Sequence, residues 1–508
     1  MEKNKKLTTL IIMDGFGIPT DLSRSGIVEE NTVNLRNLKE KFSYSTLRAS
    51  EEYVGLPAGQ AGTSEVGHMT IGSGRVTYQP LVKINKEIES KEFFKNKVLL
   101  DAINYCKQKN KSMHLIGMPS DGGIHSHINH LFALLDMCKQ NKFNDVYVHF
   151  IGDGRDTPPK SAKVYLKQVE DYITKNKVGK LASIIGRFYA LDRDNNFDRN
   201  KIAYDCWVEA FGKKAESWEQ AIDEAYNDGQ TDEFLKPIVM TENSKPITKI
   251  EEEDCVIVYN FRADRERQLA YVMAEDNDLD FVKNLKLHFV TMTEYDENFK
   301  KVKVAYKTET AKNLLSEVLS KNNIKQVKIA ETEKYAHLTF FFNSGKQDTY
   351  ELEDRILINS EKMATYASCP EMSADRIVEK ALEAIKYYDF VAINFANCDM
   401  VGHSGVKEAA KTATKVVDRC VNRVVEEVLK LGGQGIITAD HGNADIMEYE
   451  DSSPNTAHTT AIVPFILFDS EQPKKNLRSE GTLADIAPTL LKMMNIEIPS
   501  DMTGKPMF

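Results

Sequence analysis

The chain has 508 residues, 42% hydrophobic and 28% charged, the balance of a soluble globular protein too long for one ordinary core; two domains are expected, with room for a third. A net charge of −10 excludes a surface built for nucleic acid or an anionic membrane, so an anionic substrate would need local basic residues working against the global field. The seven cysteines (Cys106, Cys138, Cys206, Cys255, Cys369, Cys398 and Cys420) are odd in number, widely spaced and without a C-x-x-C, which argues for a reducing, cytoplasmic compartment rather than a disulfide framework.

The N-terminus reads MEKNKK and then LTTLIIMDG. The apolar run is short, stops at Asp14 and has no small-residue cleavage site after it, so it reads as a first buried strand and not as a signal peptide. No stretch approaches the ~20 apolar residues of a membrane helix.

Further short apolar runs follow in chain order, each ending in glycine or polar residues. They are Met113 to Gly117, Val146 to Ile151, Leu181 to Ile185, Val256 to Tyr259, Val391 to Phe395 and Ile436 to Thr438. Their length and β-branching suit buried parallel strands. Between them, Leu131, Leu134, Leu135 and Cys138 recur at helical spacing within 129–140, and Val417, Val421, Val424, Val425 and Val428 do so within 416–431. The alternation predicts an α/β architecture with parallel sheets, whose ligands sit beyond the carboxyl ends of the strands. The lysine-rich stretch 283–307 reads as a domain connection, a solvated face or an edge strand. The stretch 223–249 reads as irregular surface structure.

The chemistry-bearing residues cluster at those strand ends. Asp14 closes the first strand, and Asp399 and His403 stand in Asn397-Cys398-Asp399-Met400-Val401-Gly402-His403. Asp440 and His441 follow Thr438-Ala439, and His458 lies in Ala457-His458-Thr459-Thr460. A D-x-x-x-H spacing puts both groups on one face of a helical turn. Carboxylate with imidazole and no thiolate suits manganese or a catalytic zinc rather than a structural zinc site. Ser64, in Gly62-Thr63-Ser64-Glu65-Val66-Gly67-His68, is a poor nucleophile alone but becomes effective beside a metal. It also reads as the opening of a helix, whose N-terminus favours a phosphate.

A second set occupies the middle of the chain. It comprises His125, Arg155 and Asp156 in Gly152-Asp153-Gly154-Arg155-Asp156-Thr157, Arg187 and Arg193 in 186–194, and Arg262 and Arg265 in 260–265. Guanidinium forks match phosphate and carboxylate oxygens two at a time, so arginines gathered past strand ends predict a site for a small polyanion.

From Met13-Asp14-Gly15-Phe16-Gly17 to His458-Thr459-Thr460, with 152–159, 186–194, 260–265, Glu333-Lys334-Tyr335-Ala336-His337 and 397–403 between, the chain resembles the cofactor-independent phosphoglycerate mutases of the alkaline phosphatase-like superfamily. The resemblance implies an α/β protein in two domains. One is an alkaline phosphatase-like parallel-sheet domain split in sequence (1–77 and 310–508); the other is an inserted α/β transferase domain (78–309). It implies two Mn2+ ions, with Zn2+, Co2+ or Mg2+ as alternatives, and no bisphosphoglycerate. One ion would be held by Asp399, His403 and His458, the other by Asp14, Ser64, Asp440 and His441. Substrate contacts fall to His125, Arg155, Asp156, Arg187, Arg193, Arg262, Arg265 and Lys334. Ser64 would carry the phosphate between 3- and 2-phosphoglycerate, with Asp156 as general base. A cytoplasmic monomer acting on a small molecule, with no nucleic-acid or membrane partner, completes the implied picture.

Three positions depart from the family pattern: Thr63 and Thr70 stand where Asn is usual, and Cys398 where Pro is usual. None removes a ligand. A phosphohydrolase of the same superfamily would use the same acids and histidines, but the arginine-rich insert has no purpose there. A phosphopentomutase fits the insert poorly, a sulfatase lacks its C/S-x-P-x-R, and a P-loop kinase lacks G-x-x-x-x-G-K-[ST]. A non-catalytic scaffold would have lost the nucleophile or a ligand.

Overall fold

The computed structural model describes residues 5–307 and 311–508. The chain divides into two compact units, one made of 5–79 with 311–508 and the other of 80–307. The first crossing falls between Gln79 and Pro80 rather than between Thr77 and Tyr78. The return crossing, expected between Glu309 and Thr310, lies outside the described residues.

The first unit is built on an eight-stranded sheet in the order Glu353–Ile358, Gln326–Glu331, Phe390–Phe395, Thr8–Met13, Gln434–Thr438, Val463–Asp469, Ser43–Arg48, Glu480–Thr482. The first five strands run parallel; Val463–Asp469 is antiparallel to both of its neighbours. Thr8–Met13 is wholly buried, as a strand covered on both faces must be. Helix Lys407–Lys430 packs its valine stripe, Val417, Val421, Val424, Val425 and Val428, into this core with none of it exposed. Each such burial removes apolar surface worth roughly 1.5–3 kcal/mol.

The second unit has its own sheet, in the order Val302–Tyr306, His288–Thr293, Cys255–Val258, Met113–Gly117, Val146–Gly152, Lys180–Gly186, Ile238–Glu242, Lys213–Ala215, with Lys245–Pro246 paired to Ile238–Glu242. The run from Val302–Tyr306 to Lys180–Gly186 is parallel, and Ile238–Glu242 pairs antiparallel to it. Helix Ile128–Gln140 buries Leu131, Leu134, Leu135 and Cys138 against this sheet's core.

One expectation needs revising, and one open choice is decided. The stretch 223–249 is not irregular: it holds the end of helix Trp218–Asn227 and the strand Ile238–Glu242, whose first four residues are buried. Its apolar core is only Ile238-Val239-Met240, too short to stand out among polar neighbours. For 283–307 the edge-strand alternative holds: the stretch forms strands His288–Thr293 and Val302–Tyr306, the latter at the sheet edge.

Candidate active site

In the first unit, three neighbouring strands deliver the acids. Met13 pairs with Phe395 and Ile12 with Thr438, so the residues just beyond these ends emerge side by side: Asp14, the helix Asn397–Gly402, and Asp440 with His441. Gly15 sits at φ +75°, and a Cβ there would lie 2.6 Å from the Asp399 backbone; only glycine lets these segments approach so closely. The helical spacing brings His403 Nε2 to 3.3 Å from Asp399 Oδ1. His458 arrives on a loop whose Thr459 N–H donates to Gly442 O, and its Nε2 is 3.1 Å from Asp399 Oδ1.

Ser64 opens helix Ser64–Ser73, with the Thr63 side chain as its N-cap. The Ser64 hydroxyl is 5% exposed and donates to Asp14 Oδ1 at 3.2 Å. Its Oγ accepts from Lys334 Nζ at 2.6 Å and lies 2.9 Å from His441 Nε2. Lys334 also bridges Asp14 at 2.6 Å and Asp399 at 2.5 Å. It therefore stands with the serine and the carboxylates of its own unit.

The electrostatics follow from this crowding. Burial alone would push Lys334 down, but Asp14, Asp399 and Asp440 hold its ammonium above the usual range. Burial likewise opposes charge on His441, yet Asp440, Asp14 and Asp399 bring it up to about 9. For Asp14 and Asp399 burial works upward and is overcome by Lys334 and the histidines, which keep both carboxylates ionised. Such a field attracts cations.

The donor set fits divalent metals. His403 Nδ1 faces Thr456 O at 2.8 Å, His458 Nδ1 faces Gly62 O at 2.8 Å, and His441 Nδ1 faces Gly442 O at 3.2 Å. A ring nitrogen facing a carbonyl carries a proton, so all three Nε2 atoms point inward, where a metal would take the place of any second proton, with the carbonyls as the usual outer support of metal-binding histidines. Two of them, on His403 and His458, are only 3.0 Å apart, a separation that either a shared proton or a bound cation satisfies. His68 Nδ1 spends its proton on Ser64 O at 2.8 Å, leaving Asp440 Oδ2 buried with no hydrogen-bond partner among the described residues. Ligand atoms of Asp399, His441 and His458 converge in one group, and those of Asp14, Asp440 and His441 in another.

In the second unit, the residues past the carboxyl ends of Met113–Gly117, Val146–Gly152, Lys180–Gly186 and Cys255–Val258 gather into a cationic set. Arg187 is buried, donating to Asp153 at 2.7 Å and to Asp156 at 2.6 Å, with Nη2 2.9 Å from His125 Nε2. Arg262 and Arg193 flank Asp264 at 3.0 and 3.2 Å. Arg265 donates to Leu191 O; burial, then Arg187, Arg193 and Arg155, push its guanidinium below the usual range. A cavity of about 290 Å³ is lined by Arg155, Arg187, Arg193, Arg199 and Arg265, with Phe188 and Phe234 among its walls.

A family model described as the BPG-independent PGAM N-terminus matches residues 84–297, which lie within this second unit. Over the whole chain, the 2,3-bisphosphoglycerate-independent phosphoglycerate mutase of Clostridium acetobutylicum is 46% identical across 508 residues, 99% of each protein. The chain belongs to the 2,3-bisphosphoglycerate-independent phosphoglycerate mutase family. It is thus an isomerase. The mutase of the same description from Acetivibrio thermocellus is 46% identical over 98% of each chain. A crystal structure of Leishmania mexicana phosphoglycerate mutase at low cobalt concentration superposes with a TM-score of 0.54 at 26% identity, covering 100% of this chain and 98% of that one.

Within this mutase architecture several polar groups escaped sequence reasoning. Asn394 donates to Asp14 Oδ2 at 2.8 Å and Asn443 to Asp399 Oδ1 at 3.0 Å, each orienting a carboxylate. Asp153 accepts from the Arg155 and Asp156 backbones and so shapes the Asp156 turn. Position just past a strand end was the one available signal for Asp153 and Asn443. Asn394, inside an apolar strand, gave none. The departures from the family pattern are quiet: Thr70 Oγ1 donates to Val66 O, and burial pushes the Cys398 thiol up to about 12.

Proposed function

We propose that the protein interconverts 3-phosphoglycerate and 2-phosphoglycerate through a phosphoserine on Ser64. The observation that carries this reading is a buried serine hydroxyl at a helix N-terminus, gripped by Lys334 Nζ at 2.6 Å and surrounded by converging carboxylates and imidazoles. Asp399, His403 and His458 would hold one divalent ion, and Asp14, Ser64, Asp440 and His441 the other. When bound, such ions lower the cost of a serine alkoxide and of charge on phosphoryl oxygens. Manganese suits the mixed oxygen and nitrogen donors, and the Leishmania relative, whose structure was determined at low cobalt concentration, supports a transition metal there.

The chain's own groups do the rest. Arg155, Arg187, Arg193, Arg262 and Arg265 bind the carboxylate and phosphate oxygens of the substrate, with His125 among them. In the first half-reaction Ser64 Oγ bonds to phosphorus as the bond to the C3 oxygen breaks. Ser64 gives up a proton, and the departing oxygen takes one. Lys334 neutralises charge beside the transferring group. In the second half Asp156 accepts the proton of the 2-hydroxyl as that oxygen attacks the phosphoserine and releases Ser64. Cysteines that are all free support a reducing, cytoplasmic setting, and a monomer suffices because each set is complete within its own unit.

The test measures 2-phosphoglycerate and free phosphate together from metal-stripped protein given 3-phosphoglycerate, with and without manganese and without bisphosphoglycerate. Manganese-dependent 2-phosphoglycerate, lost in Ser64→Ala, is the expected result. Phosphate release without mutase product would make the protein a phosphatase.

A further inference from the structure

Glu266 is a buried carboxylate that the scheme above leaves unused. It is wholly unexposed, on helix Ala263–Ala274, and its Oε1 receives the Asn260 Nδ2 amide at 2.6 Å and faces His125 Nδ1 at 3.0 Å. Its Oε2 is buried with no hydrogen-bond partner among the described residues. Burying a half-satisfied carboxylate is costly, which points to a task other than stability.

The polarity of the surrounding hydrogen bonds can be read in sequence. Met118 N–H donates to Asn260 Oδ1 at 3.1 Å, so the Asn260 amide must turn its NH2 toward Glu266. Arg187 is a donor only, so His125 Nε2, 2.9 Å from Arg187 Nη2, must be an acceptor. The imidazole proton then resides on Nδ1 and is donated to Glu266. Phe261 N–H donates to His125 O at 2.7 Å, tying the His125 loop to the segment that carries Asn260.

The charged groups facing this imidazole are Arg187, Glu266 and Asp264. His125, Asp264 and Glu266 converge closely enough for a cation, but the geometry opposes one. Both imidazole nitrogens are engaged, and Asp264 is already paired with Arg262 and Arg193.

We propose that Glu266, held by Asn260, is a positioning residue that fixes His125 as the Nδ1–H tautomer and so reserves Nε2 for accepting a hydrogen bond. Resting on the mutase reading, this deepens it. A neutral Nε2 acceptor holds the Arg187 Nη2 group, so the chain Asn260–Glu266–His125 orients a guanidinium that faces Asp153 and Asp156 through Nη1. It also places a negative charge behind the ring, which strengthens Nε2 as an acceptor for Arg187.

Two measurements test it. The first is 15N NMR of histidine-labelled full-length protein without substrate, with His125 assigned by loss of its signals in His125→Gln. A protonated Nδ1 and an unprotonated Nε2 are expected; the opposite tautomer overturns the proposal whether or not the enzyme is a mutase. The second is the pH profile of kcat/KM. Glu266→Gln keeps the shape and an acceptor oxygen but removes the charge, so the acid limb should move about one unit lower. Glu266→Ala should lose about 10-fold to 100-fold in kcat/KM. A Glu266→Gln profile that superimposes on the wild type would mean that the carboxylate only fills space. Absence of mutase activity in the wild type would defeat the functional reading and leave the tautomer result to stand by itself.

Discussion

The two candidate sites are built on opposite principles. Around Ser64, Asp14, Asp440 and His441 are fully buried and Lys334 nearly so, each held by strand ends and by backbone carbonyls behind the rings. In the arginine set, the Arg155, Arg193 and Arg262 side chains are 55%, 49% and 49% exposed and rely on single carboxylate partners. The first is fixed before any ligand arrives, as a centre that must stabilise developing charge requires. The second keeps long side chains free to close on whichever oxygens a substrate presents, at a cost in ordering entropy.

The contrast sets the order of expected losses. Lys334→Met removes the cation that touches both the nucleophile and its carboxylates, and kcat should fall about 10²-fold to 10³-fold with KM much less changed. Steady-state rates on metal-replete protein would show it, and a pure KM effect would put Lys334 in the adaptable class. Arg193→Ala should act the other way, raising KM about 10-fold and weakening the salt dependence of KM while kcat stays within a few-fold. An Arg193→Ala loss confined to kcat would erase the distinction between the two sites. The smallest effect belongs to Cys398. Though it adjoins Asp399, burial holds its thiol near 12, so native protein should resist thiol alkylation there, as mass spectrometry of treated protein would report. Rapid labelling would show that the Ser64 centre opens.

Legibility from sequence divides along a different line. The run 10–13 lies inside strand Thr8–Met13, and Met113 to Gly117 coincides with its strand, because apolar runs closed by Asp or Gly state both burial and ending. Strand Gln326–Glu331 left no such trace. It buries Gln326, Lys328 and Glu331, and Lys328 is satisfied by Glu353 at 3.0 Å and Asn343 at 2.8 Å, partners that no period reveals. Strand-end acids such as Asp14 and Asp440 were visible for the same reason as the strands they close. Glu266 was hidden because a glutamate in a helix reads as solvated surface until the partner at its back, His125, is seen.

The central position of Thr8–Met13 has a consequence for synthesis. The strand is made before the strands that flank it, Phe390–Phe395 and Gln434–Thr438, which come hundreds of residues later. Every strand of the second sheet is complete by Tyr306, so that unit can fold while the first still holds a naked apolar strand. The growing chain must therefore carry this apolar segment without its native neighbours until Phe390–Phe395 and Gln434–Thr438 are made. Asp14 and Ser64 can join the rest of their centre only after the segment that carries Asp399, His403, Asp440, His441 and His458 has been made.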